Sequence, residues 1–270
     1  MATLSDKVAI ITGAGRYRSI GRSTALMLAE AGANVVVTGT GRPPDTYPDD
    51  EKAIGWRDID SVADEVRALG RKCLALVADM ANPAQARGVI DRSVVEMGRI
   101  DILVNNAAAG RGSDRVPVTE LDDADWHRVL DVKLNGSFYA SKAAAKHMVR
   151  QGEGGSIIMI SSITGKLHSA HTAAYTVANI GLLGLTGCLS KELGQYNINV
   201  NSICPGIIDT ARMDGLGRGK QWRNAEQSVP MGRAGQPQDV AAMILFLCSK
   251  EGRWTSGQSI NVDGGQVSSH

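Results

Sequence analysis

Cysteine, proline and net charge are all scarce in this sequence. Its four cysteines (Cys73, Cys188, Cys204, Cys248) form no C-x-x-C pair and no metal-ligand spacing, which argues against a zinc or disulfide framework. Reduced thiols of a cytoplasmic protein are expected instead. The five histidines (His127, His147, His168, His171, His270) also lack metal spacing, so no metal is expected. Lys and Arg number 29 against 28 Asp and Glu, a net charge of +1 that speaks against nucleic acid or an anionic membrane as partner. No apolar run reaches transmembrane length, and the N-terminus, Met1-Ala2-Thr3-Leu4-Ser5-Asp6-Lys7, does not have the form of a signal peptide. Eight prolines against 31 glycines fit many tight turns between regular elements, and 270 residues suffice for one domain with a full core.

Short apolar runs alternate with helical stretches along the whole chain. Val8–Ile11, Asn34–Thr38, Cys73–Val77, Ile102–Val104, Ser156–Ile160, Asn199–Ile203 and Ser259–Val262 read as buried parallel strands. Between them lie helical patterns over Ser23–Ala31, Ser61–Leu69, Pro83–Met97, Ala124–Val149, Ala173–Tyr196 and Pro237–Cys248. The alternation implies an α/β fold: a three-layer, doubly wound parallel sheet of the Rossmann type with about seven strands, spanning residues 1–270 as a single domain. Its site would lie at the carboxyl ends of the strands. Two long irregular segments remain, 39–59 and 211–236, and loops of that length are more often functional than incidental.

Thr12-Gly13-Ala14-Gly15 sits between the first strand and the first helix, the context in which a glycine-rich loop can cradle a pyrophosphate on free helix N–H groups. Asn105-Asn106-Ala107-Ala108 follows the fourth strand, and Ser162 precedes Tyr175 by 13 residues. Pro205-Gly206-Ile207-Ile208-Asp209-Thr210 and Val262-Asp263-Gly264-Gly265 complete the series. Taken together over roughly residues 5–267, these motifs resemble the short-chain dehydrogenase/reductase family.

The resemblance implies an NAD(P)-dependent oxidoreductase interconverting a carbonyl and an alcohol. It also implies a homotetramer or homodimer, because the family pairs two long helices across two-fold axes. Cofactor contacts would come from Gly13, Gly15, Arg16, Arg18, Ser19, Ile20 and Gly21 in a loop two residues longer than the family's usual one. Asp79 with Met80, Asn106 with Ala107, and Pro205, Gly206, Ile208 and Thr210 would supply the rest. The second strand ends without the acid that would hold the ribose of NAD. Arg16, Arg18 and Arg42 could meet a 2′-phosphate, so NADP is favoured and NAD stays possible, with Asp45 or another residue of the 39–59 insertion as a source of the missing acid.

At the catalytic end the family uses Ser, Tyr and Lys, the last two as Tyr-x-x-x-Lys. Here the lysine position is Asn179, and the position usually held by an asparagine in the long helix is Lys133: the two residue types are exchanged. A free tyrosine, with pKa ~10, is a poor base, and one cation at ~4 Å in an effective dielectric of ~20 is worth ~4 kcal/mol, or roughly three pKa units. The reading is that Tyr175 donates or accepts the proton, Ser162 orients the oxygen, Lys133 supplies the missing charge, and Asn179 keeps a ribose contact. His168, His171, Lys166 and Trp222 with Met231 are secondary pocket candidates, and the glycine- and cation-bearing segment 213–222 resembles a substrate lid for a polar or anionic substrate. Three alternatives stay open: imine or C=C reduction at the same site, a non-redox dehalogenase-like activity, and a non-catalytic dinucleotide sensor.

Overall fold

The computed structural model describes residues 3–268. One parallel sheet of seven strands runs in the order β3-β2-β1-β4-β5-β6-β7, formed by β1 (Val8–Ile11), β2 (Asn34–Gly39), β3 (Cys73–Val77), β4 (Ile102–Asn105), β5 (Gly155–Ile160), β6 (Ile198–Pro205) and β7 (Ser259–Val262). The helices are α1 (Ile20–Glu30), α2 (Asp49–Ala53), α3 (Ile59–Ala68), α4 (Pro83–Met97), α5 (Asp123–Leu130), α6 (Gly136–Gln151), α7 (Ala173–Leu193), α8 (Lys220–Gln227) and α9 (Pro237–Cys248).

Period-two alternation sends each strand's side chains into two separate cores. Along β5, Ile158 and Ile160 join Leu28, Val62 and Ile244 on one face. Ile157 and Met159 join Ile90, Met148 and Leu182 on the other. Helices therefore cover both faces, as parallel strands that are buried on both sides require. The strand order reverses between β1 and β4, and this opens a crevice at their carboxyl ends.

Several boundaries differ from the sequence reading. α1 begins at Ile20, three residues before the expected Ser23, because Ser19 caps it: its backbone is extended and its Oγ accepts from the Arg22 amide at 3.1 Å. The 39–59 insertion is partly regular, with a 3₁₀ turn at Pro44–Thr46 and the short α2. The segment expected as one long helix is broken by a π turn at Asp131–Asn135, between α5 and α6.

Ala173–Tyr196 is the one helix among the described residues that is long and apolar enough to cross a membrane by length and composition, with 24 residues and a window of mean hydropathy 1.3. The segment has no uninterrupted apolar run, but most of its polar residues are the uncharged Thr, Asn, Ser and Gly, so the mean stays high. Here the helix lies along β6, with Leu182 fully buried in the second core.

Leu103, fully buried at the centre of β4, tests this core. Leu103→Ala should lower the unfolding free energy by about 2–5 kcal/mol. In urea denaturation this would appear as a shifted midpoint with an unchanged slope.

Candidate active site

Two turns are tied together at the crevice. Thr12 Oγ1 accepts from the Asn106 and Ala107 amides, both at 3.0 Å. Asn106 Nδ2 in return donates to the carbonyls of Thr12 (2.8 Å) and Gly13 (2.9 Å). The approach is so close that a Cβ on Gly13, whose φ is +68°, would lie 2.8 Å from the Ala107 backbone, and one on Gly21 would lie 2.8 Å from the Ala14 backbone. Ser19 spends its hydroxyl on the helix cap and on the Arg16 carbonyl at 2.8 Å. The Pro205–Thr210 segment leaves β6 at the same edge, with Ile208 bridged to Gly235. Asp79 is exposed just after β3 and accepts from the Ala81 amide at 2.9 Å, while Met80 is buried against Gly136. A glycine-lined rim at a helix N-terminus, with an exposed acid beyond it, fits a dinucleotide.

The arginines expected at the adenosine end differ in their engagement. Arg16 is exposed. Arg18 is ion-paired with Asp50 at 2.7 Å and Asp214 at 2.6 Å, and Asp209 lies 3.6 Å away. Arg42 is paired with two buried carboxylates, Glu51 at 3.0 Å and Asp58 at 3.1 Å. Asp58 has a left-handed φ of +55°, a strained conformation for an aspartate. Its carboxylate abuts Gly15, and a Cβ on Gly39, at the end of β2, would lie 3.3 Å from Asp58 Oδ2. Asp45 is exposed on its 3₁₀ turn.

At the catalytic end, Ser162 follows β5 and Tyr175 lies in the first turn of α7; the Ser162 Oγ accepts from the Thr164 amide at 3.2 Å. Lys133 belongs to the π turn. The Gly136 amide reaches back five residues to the Asp131 carbonyl, and the extra residue re-phases the helix. Lys133 is thereby 3% exposed, and its Nζ donates to the Ile160 carbonyl at 2.5 Å. Burial pushes the Lys133 ammonium down to about 8, with Arg212 acting in the same direction and Tyr175 opposing. Burial by itself would raise the Tyr175 phenol, but the positive charges of Lys133, Arg212 and Arg115 hold it below its ordinary value.

Asn179 is fully buried; its Nδ2 donates to the Tyr175 carbonyl at 2.7 Å, and its Oδ1 has no partner. Of the secondary candidates, His168, His171 and Met231 are exposed. Lys166 is bound to the Ser259 carbonyl on β7 at 2.6 Å. Trp222 is buried, with the Arg218 guanidinium 4.3 Å from its ring centroid. Two residues absent from the sequence reading stand on the Tyr175 ring: the guanidiniums of Arg115 and Arg212, 4.3 Å and 5.3 Å from its centroid. Neither lies in a motif, so only folding brings them there.

A doubly wound sheet with a glycine cradle at its switch point and a Ser–Tyr pair beside it defines a nicotinamide-dependent oxidoreductase. Residues 13–266 match a family model described as enoyl-(acyl carrier protein) reductase. The chain is 36% identical to 2-dehydro-3-deoxy-D-gluconate 5-dehydrogenase of Escherichia coli, over 97% of this chain and 96% of that protein. It is 34% identical to a 3-oxoacyl-(acyl-carrier-protein) reductase of Thermotoga maritima, over 98% and 99%. Among solved structures it is similar to a short-chain type dehydrogenase/reductase from Mycobacterium marinum (TM-score 0.84, 32% identity, covering 99% of this chain and 98% of that one). It is likewise similar to acetoin dehydrogenase from Enterobacter cloacae (TM-score 0.81, 34% identity, covering 98% and 96%). The protein belongs to the short-chain dehydrogenase/reductase family. It is an NAD(P)-dependent oxidoreductase acting on carbonyl and alcohol groups.

The buried ammonium has a consequence for stability. Lys133 titrates near 8 in the folded protein and near ~10.4 when unfolded, so between these values the unfolded chain binds more protons and stability from this residue rises with pH. Tyr175, also held low, acts in the same sense. Urea denaturation at pH 8, 9 and 10 should therefore show the wild type gaining stability relative to Lys133→Met, by up to about 3 kcal/mol. A flat or falling difference would contradict the assignment.

Proposed function

We propose that Tyr175 moves the proton and that Lys133, on a different helix from the family's usual lysine, supplies the charge that makes this possible. The supporting observation is that the two exchanged residues meet at one tyrosine: Asn179 is bonded to its carbonyl, and Lys133 is the largest influence lowering its phenol. The dinucleotide accepts or delivers the hydride when bound. In the oxidative direction the substrate hydroxyl accepts from the Ser162 hydroxyl and donates to the ionised Tyr175 oxygen, and its proton passes to that oxygen as the C–H hydride departs. In reduction Tyr175 returns that proton to the carbonyl oxygen. The Lys133 ammonium stabilises the phenolate in both directions. The Asn179 Oδ1 is buried and has no partner among the described residues, so the ribose contact expected of Asn179 would require the surrounding chain to open.

We read the cofactor as NAD, against the NADP expectation from the sequence. Arg18 and Arg42 face five carboxylates between them, leaving little charge for a 2′-phosphate. The Asp58 carboxylate lies where a side chain at Gly39 would reach, so the insertion supplies the acid that β2 lacks. We also read the protein as a homo-oligomer. Only a third of the apolar window of α7 is buried within one chain, and Val177 and Ile180 on α7 and Phe138 on α6 are exposed. The unpaired cysteines support a reducing, cytoplasmic setting. A relative named for a sugar-acid substrate supports a small, polar, oxygenated substrate.

Lys133→Met should lower turnover at least tenfold at neutral pH and move the rising limb of alcohol oxidation to higher pH; unchanged turnover would sink the relay. In fluorescence titrations NADH should bind at least tenfold more tightly than NADPH, and Asp58→Asn should narrow the gap. A preference for NADPH would return the arginines to the role expected from sequence.

A further inference from the structure

Positive charge on the substrate side of Tyr175 exceeds what the chemistry of the phenol needs. The Lys133 charge already lowers the phenol, yet Arg115 and Arg212 also stand over the ring. Against these three cations stands one carboxylate, Asp114, at 3.3 Å from Arg115 Nε. That carboxylate is 1% exposed and accepts from the Gly112 amide at 3.2 Å, so it is a fixed part of the loop. The Arg115 Nε is buried and, despite that proximity, has no hydrogen-bond partner among the described residues. Arg212 makes one hydrogen bond, to the Ala109 carbonyl at 2.6 Å, and no ion pair among the described residues.

Four other arginines differ from this pair. Arg18, Arg22, Arg42 and Arg99 are each held by carboxylates at 3.1 Å or less. Two part-buried guanidiniums left with donors to spare beside the reacting group are costly unless an anion completes them. Guanidinium forks suit a carboxylate in particular, because they bind it through two parallel hydrogen bonds.

The geometry points to an anion subsite: Arg115 and Arg212 form a clamp for a carboxylate carried by the substrate, so the enzyme acts on hydroxy acids and oxo acids. This rests on the reading of Tyr175 as the proton-transfer residue and extends it to the substrate's other end. The reaction then balances as a hydroxy acid and the oxidised dinucleotide giving an oxo acid, the reduced dinucleotide and one proton. The clamp would draw the acid in and set its carbonyl against Ser162 and Tyr175. Arg115 belongs to the loop after the Asn105–Ala108 turn and Arg212 to the start of the lid, so a bridging carboxylate would also join the two. A phosphate ester shares this chemistry, and a test on esters and acids separates the two.

Isothermal titration of the protein saturated with NADH, using acetoacetate and 4-oxopentanoate against their methyl esters and against dihydroxyacetone phosphate, decides the matter. The expected result is that at least one oxo acid binds ten times more tightly than its ester, and that Arg115→Gln and Arg212→Gln each reduce this ratio at least tenfold. The ratio cancels any general loss that these variants cause through Tyr175. Equal binding of acid and ester, or no saturable binding of either acid, overturns the carboxylate assignment; tighter binding of the phosphate ester alone reassigns the clamp to phosphate and overturns it as well. A tenfold weaker affinity of Arg212→Gln for NADH itself, with the acid-to-ester ratio intact, makes Arg212 a cofactor residue and also overturns the clamp. Failure of the proton-transfer reading would look different: Lys133→Met would keep full turnover while the acid preference persisted.

Discussion

A lysine ammonium buried beside a tyrosine is the constraint on which the catalytic end depends. Burying a charge is expensive, and among the described residues the Lys133 Nζ has the Ile160 carbonyl as its one hydrogen-bond partner. Its charge in turn holds the Tyr175 phenol below its ordinary value. The π turn at Asp131–Asn135 is what makes this geometry available, since it re-aims one side chain without ending the helix. Ser137 closes the turn by donating to the Lys133 carbonyl at 2.6 Å. On our proposal the Lys133 charge stands in for the one the family supplies four residues after the tyrosine, where Asn179 is neutral and wholly buried.

The adenosine end shows the same logic of relocation. β2 ends in glycine, and the insertion that follows folds back through α2 to bring Glu51 and Asp58 against Arg42. The strained backbone of Asp58 and the absence of a Cβ at Gly15 and Gly39 belong together, because a side chain at Gly15 would collide with that carboxylate. In both places a residue type missing from its usual position in the chain is found nearby in space. Around Tyr175, by contrast, Arg115 and Arg212 stand on the ring with Asp114 as the one carboxylate ion-paired to either among the described residues.

Much of this was legible in the sequence. Strands such as β3 and β7 and helices such as α4 and α9 have the expected limits, because their apolar runs are bounded by glycine, proline or polar caps that act locally. The positions of Ser162 after β5 and Tyr175 in α7 follow from their spacing, and the structure buries both Lys133 and Asn179, the two positions whose residue types are exchanged. The start of α1, the π turn and the regular pieces of the insertion were not legible, since caps and helix phase depend on hydrogen bonds that residue type leaves open. The apolar character of α7 does not show as an unbroken run, because uncharged polar residues interrupt it without making it polar.

The sequence by itself determined the alternation of strands and helices, hence the doubly wound sheet and the crevice at its switch point, because these follow from periodicity and from turn residues acting over a few positions. Tertiary structure alone decided which charges meet. Arg18 reaches Asp214 across 196 residues of chain, Arg212 reaches the Ala109 carbonyl across 103, and Arg115 comes to lie on the ring of Tyr175. Coulomb interactions and hydrogen bonds depend on distance in space and on burial, neither of which is written in the local order of residues.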